Sequence, residues 1–107
     1  RIAAIAADKL ATDIVMLDMR GVVGYTDWLV IATARSDRHA KAVAEDVIQT
    51  LKRDDRILAQ RVEGQREGTW ILVDYLDVVL HVFTPETRGF YRLDRLWGQV
   101  PTVEFAS

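Results

Sequence analysis

The chain has 107 residues, of which 50% are hydrophobic and 28% are charged, a balance typical of one folded domain over residues 1–107. Its 14 basic and 16 acidic residues give a formal net charge of −2, which argues against a nonspecific nucleic-acid binder or an anionic-membrane binder. The absence of cysteine excludes disulfides, thiolate metal sites and cysteine nucleophiles, and no apolar run reaches the ~18 residues of a membrane-spanning helix.

The first third of the chain predicts one helix followed by two strands. Near-helical spacing of apolar residues predicts a helix over residues 1–10. The short apolar runs at residues 14–17 and 28–32 are typical of strands that are buried on both faces. Two glycines within residues 20–25 predict the turn that joins these strands.

The strongest periodic signal predicts a helix in the middle of the chain. Apolar residues recur from Ala40 to Leu51 at the spacing of one helical stripe. Ser36 is the predicted N-cap, because its hydroxyl can accept a hydrogen bond from a free backbone N–H of the first turn. Lys52 and Arg53 suit the negative end of the helix dipole, so we expect the helix to end there.

The second half predicts three strands and a last helix. Residues 57–63, 70–75 and 78–83 have the composition of strands, and the polar segment 64–68 is a turn. A capping hydroxyl followed by proline and an acid predicts a helix over residues 84–97.

This order predicts an α/β or α+β sandwich with a five-stranded mixed sheet and three helices. One strand–helix–strand crossover in a set otherwise joined by turns implies a mixed sheet rather than a doubly wound parallel one. With only three helices available, part of one sheet face is expected to be uncovered.

The residues that could carry catalysis favour no enzyme. His39, beside the start of the second helix, is interpreted as a solvated or capping residue, and His81 as a half-buried strand residue. Asp74 and Asp77 flank a tight turn, where aspartate commonly bonds its own backbone. Their alternative role is that of the acids of a metal-dependent nucleotidyltransferase, but the glycines at 21 and 24 form no phosphate-binding loop.

Two surface features could bind a partner. Arg35 and Arg38, near the start of the second helix, are interpreted as a solvated face, with direct RNA contact as the alternative. Strand alternation sends Trp70, Leu72 and Asp74 to one sheet face, and the residues between them, with Tyr75, to the other. Because large aromatic residues on an uncovered face are typical interface residues, a binding module is favoured over a catalyst.

Several stretches taken together resemble the Iojap-related ribosomal silencing factor family. They cover nearly the whole chain, and the ordered set is far more specific than any single stretch. The stretches are residues 26–32 (TDWLVIA), 36–39 (SDRH), 61–64 (RVEG), 67–75 (EGTWILVDY), 77–83 (DVVLHVF) and 90–98 (FYRLDRLWG).

The resemblance implies a regulatory protein without enzymatic activity or cofactor, on a fold similar to that of nucleotidyltransferases but without their active site. Members bind the large ribosomal subunit through ribosomal protein fourteen, at the face where the small subunit docks, and damp translation when nutrients are short. No membrane contact and no sequence-specific nucleic-acid contact is implied. A bacterial cytoplasm is the implied compartment, with an organelle as the alternative.

The binding residues are expected around the turn that follows residue 74. Trp70 is predicted as the main contact for the ribosomal protein, because a tryptophan buried on binding contributes a large apolar area at little entropic cost. Leu72, Tyr75 and Leu76 are expected beside it, and Asp74 or Asp77 is expected to meet basic residues of the partner. The same surface is expected to pair two copies when the partner is absent.

Overall fold

The computed structural model describes residues 1–91 and 100–105, which form three α-helices and six strands. In chain order they are α1 (Ile2–Asp8), β1 (Thr12–Asp18), β2 (Trp28–Thr33), α2 (Asp37–Thr50), β3 (Arg61–Glu63), β4 (Trp70–Asp74), β5 (Val78–Phe83), α3 (Pro85–Tyr91) and β6 (Thr102–Glu104). A short π-helical segment, Leu51–Asp55, directly continues α2.

The strands form one mixed sheet in the order β3-β4-β5-β2-β1-β6. Strands β2 and β5 are parallel and pair in register from Trp28 opposite Val78 to Thr33 opposite Phe83. The other neighbouring strands are antiparallel. The predicted mixed sheet is therefore confirmed. Strands β2 and β5 are the one parallel pair among the described strands, and α2 lies in the crossover connection between them.

The predicted number of five strands is wrong, because β6 adds a sixth strand at the edge beside β1. Met16 pairs with Val103 in this ladder. All three residues of β6 are exposed, so no buried face imposes an apolar pattern on them. Such a strand is defined only by its backbone hydrogen bonds, which cannot be predicted from the composition of three residues.

Several predicted boundaries also change. The predicted strand 57–63 is a strand only over Arg61–Glu63, because the chain leaves the π-helical segment through Arg56 in a left-handed conformation and residues 57 and 58 are exposed. The middle helix is capped by Ser36 as predicted, since its Oγ accepts the backbone N–H of His39 at 3.1 Å. The last helix begins at Pro85 as predicted, and the rest of its predicted length lies outside the described residues.

Two apolar clusters occupy the two faces of the sheet. On one face, α1 and α2 pack against inward residues of β2, β4 and β5, such as Ala32, Ile71 and Leu80. The other face buries Leu29, which is 3% exposed, together with Ile31 and Phe83, which are fully buried. The central strands are therefore buried on both faces, and the expectation that part of one face is uncovered can apply only to strands nearer the edge. Trp70 and Leu72 lie at the border of this second cluster and are only half-buried.

The turn before β4 fixes the position of Trp70. Gly64 has a φ of +82°, a left-handed conformation that glycine adopts without strain. A Cβ atom at this position would collide with the carbonyl oxygen of Trp70. The sequence therefore needs glycine here, because the backbone of the turn packs directly on the first residue of β4.

Candidate docking surface at the β4–β5 turn

The six residues predicted to bind a partner lie along β4 and in the turn that follows it. Trp70 and Leu72 pack at the border of the second apolar cluster, whereas Ile71 and Val73 belong to the first. The predicted alternation of β4 is thus confirmed. Tyr75 packs against the first cluster, so the predicted residues do not share one sheet face.

The polar edge of Trp70 is used inside the fold. Its Nε1–H donates a hydrogen bond of 2.9 Å to Nδ1 of His81, and its ring stacks on Phe83 with the centroids 5.0 Å apart. His81 is 7% exposed, and burial lowers its pKa to about 4. His81 is therefore neutral at physiological pH, and its unprotonated Nδ1 accepts the hydrogen bond from the indole N–H.

Hydrogen bonds hold the turn between β4 and β5 in one shape. Oδ1 of Asp74 accepts the backbone N–H of Leu76 at 2.8 Å, which is the turn role expected for this aspartate. The N–H of Tyr75 donates to the carbonyl of Val78, and the N–H of Asp77 donates to the carbonyl of Tyr75, both at 2.9 Å. The tip of the turn is thus fixed before any partner arrives.

Leu76 is displayed at this tip in a costly conformation. Its φ is +71°, in the left-handed region that non-glycine residues seldom occupy, and 56% of the residue is exposed. Asparagine or glycine would satisfy this backbone with less strain and without exposing an aliphatic side chain. Strain of this kind is frequent at functional sites. Leu10 has the same backbone conformation, so it is the place of Leu76 in the turn predicted to bind that makes it a candidate contact.

Tyr75 has a buried hydroxyl that no described residue hydrogen-bonds. Burial also raises the pKa of this phenol, so it is uncharged at neutral pH. An unpaired buried polar group costs free energy because it has lost its contact with water.

Replacement of Tyr75 by phenylalanine is therefore expected to leave the free energy of unfolding unchanged or to raise it by about 1 kcal/mol. Urea denaturation of both proteins at neutral pH measures the difference. A loss of more than about 1 kcal/mol would mean that the hydroxyl is hydrogen-bonded in the folded protein.

The loop between β1 and β2 lies against the same turn. The backbone N–H groups of Asp27 and Trp28 both donate to the carbonyl of Asp77 at 3.0 Å. Within this loop, residues 19–27, the sequence predicted only a glycine turn over residues 20–25. The contact could not be predicted, because hydrogen bonds between backbone groups distant along the chain do not depend on composition.

Acidic side chains surround this end of the sheet. Asp18 is paired with Arg20 at 2.7 Å, which lowers the pKa of that carboxyl. Asp74 lies 3.7 Å from Arg61. The exposed carboxylates of Asp27 and Asp77 form no ion pair with any described residue. The carboxylate of Asp18 and, after it, that of Asp27 nevertheless raise the pKa of Arg20. Among these described residues, four carboxylates stand against two guanidiniums, so the net charge of this end is negative.

The alternative role of Asp74 and Asp77 as catalytic acids gains nothing from the geometry. One carboxylate oxygen of Asp74 is committed to the turn. Within residues 1–91 and 100–105, no group of three or more His, Asp or Glu side chains could hold a metal ion.

The same residues include no helix with the length and apolar character needed to cross a membrane.

A cavity lies at the opposite end of the sheet, at the start of α2. It has a volume of about 490 Å³, and Lys9, Arg35 and Arg38 line it with His39. Of the two interpretations of His39, solvated or capping, the solvated one is wrong, since only 8% of the residue is exposed, and the capping one agrees with its contact to the backbone before α2. Its Nδ1 accepts the N–H of Arg35 at 3.0 Å, so its Nε2–H donates to the carbonyl of Lys9 at 2.7 Å. Direct RNA contact by Arg35 and Arg38 stays a prediction.

Comparison with known proteins gives a consistent result over the whole length. Residues 1–107 match the family model described as "Ribosomal silencing factor during starvation". Ribosomal silencing factor RsfS of Bacillus subtilis is 39% identical over 102 residues, which cover 95% of this chain and 86% of that protein. The chloroplastic Iojap protein of Zea mays is 32% identical over 102 residues, which cover 92% of this chain and 42% of that protein.

A solved structure supports the fold. The crystal structure of a protein from Chromobacterium violaceum is similar to this chain with a TM-score of 0.87 and 31% sequence identity. The match covers 99% of this chain and 88% of the other. The arrangement of helices and strands is therefore shared with an experimentally determined relative, whereas the predicted likeness to nucleotidyltransferases stays a prediction.

Proposed function

The chain belongs to the ribosomal silencing factor family, as the resemblance predicted, and from this premise we propose that it represses translation by binding the large ribosomal subunit. The contact is ribosomal protein fourteen, and the bound protein keeps the small subunit from joining. The bacterial relatives favour a bacterial cytoplasm as its compartment. Steric exclusion requires affinity and bulk at the right place, and it requires neither turnover nor a cofactor.

The observation that carries this proposal is the exposure of the Leu76 side chain at the tip of the β4–β5 turn. An aliphatic side chain that is 56% exposed on a strained and hydrogen-bonded turn contributes little to the fold. A preformed apolar contact of this kind lowers the entropic cost of binding, because the turn does not have to be ordered when the partner arrives.

The charge around the turn supports a protein partner with a basic surface. Asp27 and Asp77 are exposed, and the whole chain carries a net charge of −2. Complementary potentials speed encounter and fix orientation. The same charges disfavour direct contact between this surface and the phosphates of ribosomal RNA.

Replacement of Leu76 by asparagine tests the proposal, because asparagine tolerates the left-handed backbone and removes the apolar contact. We expect the unaltered protein to sediment with large subunits and not with small ones, and the variant to bind large subunits at least tenfold more weakly. The unfolding midpoint should be equal or higher.

Leu10 provides a matched control at the opposite end of the sheet. It also has a left-handed backbone, with φ +68°, and it is 66% exposed. Leu10→Asn should sediment with large subunits like the unaltered protein. Equal sedimentation of the unaltered protein with both subunits would contradict the proposal, and equal weakening by both replacements would remove Leu76 from the contact.

The same surface is proposed to pair two copies of the chain when the ribosomal protein is absent. A symmetric dimer uses one patch on both copies, so it would compete with the partner. Added ribosomal protein fourteen should dissociate the dimer, which light scattering measures as a change in molar mass. A species that contains two copies of each chain would contradict shared use of the surface.

A further inference from the structure

The apolar contact at the turn has a second half in the loop between β1 and β2. Tyr25 lies in this loop, residues 19–27, and is 63% exposed, as is Val22 at 48%. Exposed aromatic and aliphatic residues that converge at one place are typical of interaction surfaces. Neither residue was predicted as a contact, since the loop was interpreted only as a connection.

Hydrogen bonds fix this loop to the turn that displays Leu76. The carbonyl of Asp77 accepts the N–H groups of Asp27 and Trp28, as described above. At the other end of the loop, Met19 donates its N–H to the carbonyl of Asp27 at 2.8 Å, and the side chain of Met19 is buried. The loop is thus closed on itself and attached to the turn, and Tyr25 and Leu76 stand at the same end of the sheet.

A charged border accompanies the apolar residues. The exposed carboxylates of Asp27 and Asp77 come from the two segments that these hydrogen bonds join. The guanidinium of Arg20 in the same loop is already paired with Asp18, and it lies over the ring of Trp28 at 5.3 Å from the centroid. Among the described residues, the carboxylates of Asp18, Asp27 and Asp77 thus outnumber this one guanidinium, and the net charge of the border is negative.

We propose that residues 19–27 and the β4–β5 turn form one docking surface, with Tyr25 and Leu76 as its apolar centre and Asp27 and Asp77 as its border. Its occupant is a folded protein that presents an apolar patch surrounded by lysine or arginine. This inference rests on the proposed function, under which the occupant is the ribosomal protein. It places the surface at the end of the sheet, across two segments, rather than along β4 alone.

The test measures the affinity of purified ribosomal protein fourteen by calorimetry, for the unaltered protein, Tyr25→Ala and Asp27→Asn. We expect Tyr25→Ala to weaken binding about tenfold, as for an aromatic contact residue. Asp27→Asn should weaken binding about threefold at low salt and less at high salt, because its contribution is screened. Both side chains are exposed, so the unfolding midpoints should not change.

Leu10→Ala is the matched control, since Leu10 is as exposed as Tyr25 but lies at the opposite end of the sheet. It should bind like the unaltered protein. Unchanged binding by both loop variants would overturn the inference and leave the proposed function intact. Failure of the unaltered protein to bind would contradict the proposed function and the inference with it. A Tyr25→Ala variant that loses only self-association would assign the loop to a second copy of the chain, which also overturns the inference.

Discussion

Replacement of Trp70 by alanine is expected to lower the free energy of unfolding by about 3–5 kcal/mol. The indole ring stacks on the fully buried Phe83, and its N–H pairs with Nδ1 of His81. The alanine variant therefore loses apolar contact and leaves a buried ring nitrogen without its donor. Urea denaturation at neutral pH measures this loss.

The same variant tests the predicted role of Trp70 in binding. Since the residue is half-buried, part of it is open to a partner. We expect the folded fraction of Trp70→Ala to bind the ribosomal protein about thirtyfold more weakly, or by about 2 kcal/mol. Trp70→Phe keeps an aromatic ring on Phe83 but loses the hydrogen bond and part of the apolar contact, so it should cost about 2 kcal/mol of stability, less than the alanine variant.

Two results would contradict these roles separately. An unchanged unfolding midpoint for Trp70→Ala would contradict the stacked and hydrogen-bonded position of the indole. Intact affinity in the folded fraction would make Trp70 a purely structural residue, and binding would then be left to the exposed end of the sheet.

Stability is expected to fall as pH falls from 7 to 5, because of His81. Burial lowers the pKa of this histidine from its ordinary value of 6.5 to about 4. At a pH between these two pKa values, His81 is protonated in the unfolded chain but not in the folded protein. Lowering the pH therefore favours the unfolded state. The expected loss between pH 7 and pH 5 is about 2 kcal/mol.

His81→Asn isolates this contribution. The amide oxygen of asparagine can accept the N–H of Trp70, but asparagine does not titrate. Urea denaturation of both proteins at pH 7 and pH 5 should show a smaller loss for the variant, by about the same 2 kcal/mol. Equal losses would mean that His81 is as easily protonated in the folded protein as in the unfolded chain.

The sequence predicted the elements that repeat an apolar pattern. The stripe from Ala40 to Leu51 gave α2 to within a few residues, and the cap at Ser36 is confirmed. The strands β2 and β5 are buried on both faces and read as continuous apolar runs, so both were found nearly to their ends. Burial leaves a record in composition, because most buried positions are apolar and a buried polar residue such as His81 needs a hydrogen-bond partner.

What the sequence did not predict depends on backbone geometry. Strand β6 is exposed and is held by a ladder, the ring of His39 turns inward to a backbone carbonyl, and the loop that carries Tyr25 is fixed by backbone hydrogen bonds. The ladder and the loop need no particular side chain, and the contacts of His39 join it to a residue 30 positions away, which a local pattern does not reveal. The left-handed backbone of Leu76 was equally invisible, since leucine rarely adopts it.

The central claim is that the bound protein keeps the ribosomal subunits apart, and light scattering during subunit joining measures this directly. Large subunits are first incubated with the protein, and small subunits are then added. We expect the amount of joined ribosomes to fall as the protein is titrated, reaching a minimum at saturation, and Leu76→Asn to require at least tenfold more protein. Undiminished joining by large subunits that are saturated with the unaltered protein would contradict the account.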